Sequence, residues 1–213
     1  MTSWKSSRRI WDISQTLRPG LPVWPGDTDF AFARNWSIDD GSPVNVGRMT
    51  MSTHSGTHAD APLHYGAGEP DIASLAIDAY IGECLVVDAR SVSGEVDVAD
   101  LPAIDSADRV LFRTYDTFPY DEWREDFLPI AAETIDWLNM QGVKLIGTDA
   151  PSIDPQNSKT MDAHKAVLKA DMRILEGLVL DDVPAGRYEL IALPLKIEGG
   201  DAGLCRAILR ELP

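Results

Sequence analysis

The chain has 213 residues, 44% of them hydrophobic and 25% charged, which is the balance of an ordinary folded protein and excludes a disordered or membrane-embedded one. Its 34 acidic and 19 basic residues give a formal net charge of -15, so phosphate backbones and anionic lipid surfaces are repelled, and neither nucleic acid nor membrane is expected as a partner. The length suits one compact domain, 1–213, with Pro and Gly scattered throughout and no linker or repeat to divide it.

In chain order, the basic MTSWKSSRR is followed by IWDISQTLRPG, which puts Asp12 where a secretory signal needs an unbroken apolar core. No stretch approaches the length of a bilayer span. The two cysteines, Cys84 and Cys205, are too isolated for a disulfide framework or a thiolate metal site, so a reducing cytoplasm is the expected compartment. In PGLPVWPGD, Trp24 is flanked by Pro22 and Pro25 in a stiff turn. An indole there is either a contact surface or packed core, and the sequence leaves both open.

Next, the alternating VNVGRMTMST reads as a strand running into HSGTHADAPLH, which holds three of the chain's four histidines. A helix would put His54 and His58 on one face but carry Asp60 well round the cylinder, and Gly56 and Pro62 oppose it. An extended strand would align His54, His58, Asp60 and His64 but spread them over roughly 33 Å. A loop curled back by glycine and proline lets the side chains converge. A lone histidine is more often a surface or satisfied core residue; three, interleaved with a carboxylate, point to a borderline divalent metal such as zinc, manganese or iron. Without cysteine ligands, the site is expected to be open and not a closed structural zinc.

The apolar runs CLVVDA (84–89), RVLFRT (109–114), VKLIGTD (143–149), YELIALPLKI (188–197) and CRAILREL (205–212) read as buried strands. Ala131, Ile135 and Leu138 recur at helical spacing until Gly142. In TMDAHKAVLKADMRILEGLVLD, Thr160 or Asp162 can cap a helix whose stripe is Ala163, Val167 and Ala170, with His164 bordering it and facing inward. The period then changes, and Met172, Ile174, Glu176, Leu178 and Leu180 alternate as one face of a strand. A carboxylate amid such a face costs several kcal/mol unless it is neutralised, paired or bound to metal; otherwise the face is the solvent side of an edge strand. Helices on a mixed sheet imply a layered α/β or α+β domain.

HSGTHADAPLH matches in full the HxGTHxDxPxH signature of the cyclase family of metal hydrolases, and the chain resembles its bacterial kynurenine formamidase branch nearly end to end. IWDISQTLRPGLPVWPGD, YIGECLVVDA, LIGTDAPSIDP, AHKAVLKADMRILEGLVLDDV and LIALPLKIEGGDAGLCRA carry the rest of the likeness. The resemblance implies a swivelling β/β/α single domain, a homodimer, two divalent ions per subunit (zinc, with manganese as the other choice) and hydrolysis of N-formyl-L-kynurenine to L-kynurenine and formate. It makes His54, His58 and Asp60 ligands of one ion and lets His164 complete a second site. Asp60 and Glu176 bridge the two, His64 is the general acid/base and Trp24 contacts substrate. Ala202 and Leu204 in GGDAGLCRA depart from the GDGSP-like turn of relatives, a change near the site that removes no ligand. The motif alone leaves open a sister hydrolase of a cyclic amide such as isatin. It leaves open a non-catalytic metal-binding module too, although His64, Asp60 and Glu176 are more machinery than storage needs.

Overall fold

In chain order the elements are β1 (Ile10–Asp12), β2 (Ala31–Trp36), β3 (Val46–Thr50), β4 (His58–Asp60), α1 (Pro62–Tyr65), β5 (Ile81–Asp88), β6 (Arg109–Arg113) and α2 (Ala132–Met140), followed by β7 (Leu145–Thr148), α3 (Asp162–Lys169), β8 (Arg173–Glu176), β9 (Gly186–Ile191), β10 (Ala202–Leu204) and β11 (Ile208–Arg210). This computed structural model describes residues 8–104 and 107–213, so only Arg8 and Arg9 of the basic N-terminal stretch lie within it.

Nine strands form one mixed sheet in the order β1-β11-β9-β5-β6-β7-β8-β4-β10, while β2 and β3 make a separate ribbon. The central β5, β6, β7 and β8 run parallel, and every other neighbouring pair is antiparallel. Alternation sorts the central side chains to two faces. Val87, Val110, Phe112, Ile146 and Ile174 pack with Ile135 and Leu138 of α2 and Ala163 and Val167 of α3. Cys84, Val86, Leu111, Leu145 and Leu175 join Leu190 and Leu209 of the antiparallel strands in a second apolar cluster. The sheet must curl for this to close. In a flat sheet β1 and β8 would lie roughly 29 Å apart, yet Ile13, just past β1, donates to Ala207 O at 3.0 Å and accepts from Val179 N at 3.0 Å, three residues beyond β8. The result is the expected α/β class with sheet, sheet and helix in layers.

Several expectations are corrected in detail. The strand at VNVGRMTMST ends at Thr50 and pairs with β2, and the histidine loop contains a short buried strand of its own, β4. YELIALPLKI stops at Ile191, because Pro194 has no N–H to continue a ladder and keeps only an isolated bridge to Cys205. Strand β10 precedes the one read in CRAILREL, and β1 and β2 lie outside the apolar runs read as strands. Met172 and Ile174 share the helix-covered face, but at Gly177 (φ +62°) the chain turns, and Leu178 and Leu180 fall into the other cluster. Neither Thr160 nor Asp162 caps α3; its N-cap position is Met161, at φ +53°. The cap comes from a distance: Asp154 accepts from the N–H groups of Ala163 and His164 at 3.1 and 3.0 Å. Helix α2 ends as read, before Gly142 at φ +88°.

Candidate metal centre

Strand β4 sets the site. His58 and Asp60 are two residues apart and share a face, and the antiparallel register opposes His58 to Glu176 of β8, so all three side chains emerge together. Because β4 and β10 continue the sheet past β8, Glu176 is on an interior strand and 3% exposed, which rules out the solvent-edge reading. Just before β4, Gly56 turns at φ +70° and brings His54 back over the strand. Thr57 pins the turn: its hydroxyl donates to Gly177 O at 2.7 Å and accepts from Gln15 N at 2.9 Å. The packing at this crossing is tight, since a Cβ on Gly177 would stand 2.6 Å from Gly56 O. His64 comes from α1, which Pro62 opens, and His164 from the first turn of α3.

Asp60 is the centre of the cluster. It is fully buried and neither carboxylate oxygen has a hydrogen-bond donor, although His54 Nδ1 lies 3.1 Å and His58 Nε2 3.3 Å from Oδ1, and His164 Nε2 3.4 Å from Oδ2. Glu176 stands beside it, 3.5 Å from His58 Nε2 and 3.8 Å from His164 Nε2, oriented by Ile153 N, which donates to Oε1 at 2.9 Å.

The imidazoles are held from behind. His58 Nδ1–H donates to Gly56 O at 3.0 Å, and His164 Nδ1–H to Asp154 Oδ2 at 2.6 Å, so each ring turns an Nε2 lone pair toward the two carboxylates. Lone pairs and carboxylates converging in a buried place repel unless a positive charge lies among them. A proton on Nε2 is one such charge: burial would lower the pKa of His58 and of His164, but Asp60 and Glu176 around both, and Asp154 on His164, outweigh it and raise each to about 10. Asp60, despite its burial, is held well below the usual carboxylate range by the three imidazoles. The donor set is imidazole nitrogen and carboxylate oxygen without sulfur, and His54, His58 and Asp60 offer ligand atoms within 4.8 Å of one another, as do Asp60, His64 and His164. The residues fit a borderline divalent cation.

His64 differs from the other three. It is about one-third exposed, its ring centroid lies 4.1 Å from that of His54 and 5.9 Å from that of His164, and burial pushes its pKa down, not up. A cleft of about 500 Å³ opens over the cluster, bordered by His54, His58, His64, His164 and Glu176 at its base and by Trp24 on its wall. Trp24 therefore faces the cleft and is not packed as core. Sequence reasoning missed three residues here. Asp154 orients His164, Asp201 lies 3.3 Å from His54 Nε2 while accepting from Thr53 Oγ1 at 2.8 Å, and Trp123 lines the cleft with Trp24. Asp201 was discoverable in GGDAGLCRA, where it precedes the departing Ala202, and Asp154 in LIGTDAPSIDP; Trp123 lies in a run whose pattern carries no sign of a site.

Residues 11–155 match the model of the family described as "Putative cyclase". The chain is 80% identical over 213 residues to the kynurenine formamidase of Erythrobacter litoralis (strain HTCC2594), covering 100% of this chain and 99% of that one. It is 60% identical over 207 residues to the kynurenine formamidase of Maricaulis maris (strain MCS10), covering 96% and 99%. Among solved structures, the fold resembles one described as a "predicted metal-dependent hydrolase from Bacillus stearothermophilus" with TM-score 0.82 and 29% identity, over 97% of this chain and 100% of that one. It resembles isatin hydrolase A from Ralstonia solanacearum with TM-score 0.82 and 25% identity, over 96% and 92%.

Proposed function

The chain belongs to the cyclase family, and from that premise we propose that it is a metal-dependent arylformamidase, hydrolysing N-formyl-L-kynurenine to L-kynurenine and formate in tryptophan catabolism. The observation that carries the metal-dependent chemistry is the buried Asp60 carboxylate, without a hydrogen-bond donor and ringed by imidazole nitrogens. The substrate follows from the relatives named kynurenine formamidase, which match the chain from end to end.

Two divalent ions, zinc first and manganese as the other choice, would be held by His54, His58 and Asp60 and by His164 and Glu176, with Asp60 and Glu176 shared. Bound there, they supply the positive charge that acidifies water and polarises an amide carbonyl. The rest falls to side chains. Asp154 and the Gly56 carbonyl fix the ring orientations of His164 and His58. His64, neutral near pH 7 because burial lowers its pKa, takes a proton from the attacking water and delivers it to the amide nitrogen as the C–N bond breaks. The arylamine leaves neutral and formate keeps the new oxygen. Trp24 offers its face to the anilide ring.

The whole chain, 1–213, acts as one catalytic domain in this reading. Its two cysteines are buried free thiols, in keeping with a reducing cytoplasm. No helix among the described residues is long and apolar enough to cross a membrane. The net charge of -15 argues against nucleic acid. Phe32, Trp36 and Met49 on the β2–β3 ribbon are each more than half exposed in a single chain, which supports a homodimer that covers them.

Formate release from N-formyl-L-kynurenine by purified protein loaded with zinc or manganese tests the proposal, run beside ring opening of isatin. Turnover of the formamide in preference to isatin is expected. A preference for isatin would move the chain to the activity of the isatin hydrolases, whose fold it shares. Metal uptake with no turnover of either amide would leave a binding module.

A further inference from the structure

The cleft has a second aromatic wall. Trp123, on the segment between β6 and α2, lies 5.4 Å from Trp24 between ring centroids at an interplanar angle of 73°, and both rings line the cleft. Phe127 backs both, at 6.3 Å from Trp24 and 6.5 Å from Trp123. The Trp123 ring is also tethered: its Nε1–H donates to Gln156 Oε1 at 2.7 Å, across 33 residues of chain. Behind it is a cavity of about 40 Å³ that shares Gln15, Pro22, Trp123, Pro151 and Gly177 with the main cleft. The indole is thus part of the partition between the two spaces.

Two rings at a steep angle form a corner. An arene stacked on one face presents its edge to the other, and offset-stacked and edge-to-face contacts are the arrangements that ring quadrupoles favour. Among the described residues no Lys or Arg lines this cleft, so the aromatic contact is not contested there by a cation over the ring. Without the indole the two spaces would join and this end of the cleft would widen.

We propose that Trp123, latched by Gln156, is a specificity-determining residue: with Trp24 it forms a two-walled slot that selects the aryl ring of an aryl amide and bounds the space beyond it. The proposal rests on the amide-hydrolase reading and deepens it by naming a residue that favours aryl over aliphatic amides.

The test compares metal-loaded wild type and variants on N-formyl-L-kynurenine, N-formyl-2-naphthylamine and N-formylbutylamine, with metal content and melting temperature measured alongside. Trp123→Ala should raise KM for formylkynurenine roughly 2- to 10-fold with kcat little changed, leave the aliphatic amide unaffected, and shift relative kcat/KM toward the naphthyl amide, because the partition is gone. Gln156→Leu should shift KM the same way by less, whereas Gln156→Glu keeps an acceptor for the indole N–H and should stay near wild type. If Trp123→Ala does not fold, Trp123→Phe and the Gln156 pair carry the same comparison. A parallel fall for all three amides at unchanged metal content, or no relative gain for the naphthyl amide, would overturn the slot and leave the hydrolase reading standing. A wild type that hydrolyses none of the three overturns both.

Discussion

At the scale of single residues, the four histidines divide into three that are held and one, His64, that stands more loosely at the edge of the cleft. His58 and His164 each spend Nδ1 on a fixed acceptor and aim Nε2 at buried carboxylates, and His54 leans between Asp60 and Asp201. His64 Nδ1 lies 4.0 Å from an Asp201 carboxylate oxygen, beyond hydrogen-bond reach, and the ring borders the cleft. In the proposed mechanism His64→Ala should therefore reduce turnover about 100-fold or more, the usual scale for a general acid/base, with metal content near wild type. His58→Ala and Glu176→Ala should lose metal as well as activity. Elemental analysis beside the assay decides it: if His64→Ala loses metal as they do, then His64 is a ligand, a role its approach to Asp60 and His164 allows.

At the scale of elements, the junction between the Asp154 segment and α3 joins helix stability to the centre. One carboxylate serves both, capping the first turn through the N–H groups of Ala163 and His164 and accepting from the His164 ring. Burial would raise its pKa, but those bonds outweigh it and hold the group ionised. Asp154→Ala removes both functions. It should cost about 1 to 2 kcal/mol as a lost cap and weaken metal affinity about 10- to 100-fold as a lost orienting partner. Asp154→Asn keeps an acceptor for the helix but not the charge opposite the imidazole, so it should retain most of the stability and still bind metal more weakly. Denaturant unfolding of the metal-free variants and competition against a chelator measure the two effects separately; equal losses in both variants would show that the cap alone matters.

At the scale of the whole molecule, the site lies where the sheet curls, and its residues tie together segments that are otherwise remote. His54, His58 and Asp60 come from one loop and strand, Glu176 from β8, His164 from α3, and Asp201 from the turn before β10. A cation held by them would link all four regions in the folded state and none in the unfolded chain. The melting temperature should therefore fall on chelation and rise again with added zinc or manganese, increasing with free metal as mass action requires. Activity should be lost and regained in step. Full activity and an unchanged melting temperature in protein shown to be metal-free would contradict the metal-dependent reading.

The sequence by itself determined the class of chemistry and the broad build. Crowded histidines around Asp60 announce a cation because repulsion among such groups has few other remedies, and Glu176 stood out as a carboxylate on an apolar face. The buried strands of the central sheet and helix α2 were legible because apolar periodicity is a local property of the chain. Tertiary structure decided the rest, for reasons of distance. Asp154 caps a helix eight residues further on and orients its histidine, a partnership that no N-cap pattern within α3 reveals. Strand β4 is three residues long and exists because β8 and β10 flank it, so its own sequence carries no strand signal. The turn at Gly177 sends Leu178 and Leu180 to the opposite face from the one their alternation suggests. The slot of Trp24 and Trp123 joins residues 99 positions apart by sequence, brought to 5.4 Å by the folding of two loops over the sheet. Local pattern encodes which residues are buried and which chemistry they carry; only the curl of the sheet brings them to one place.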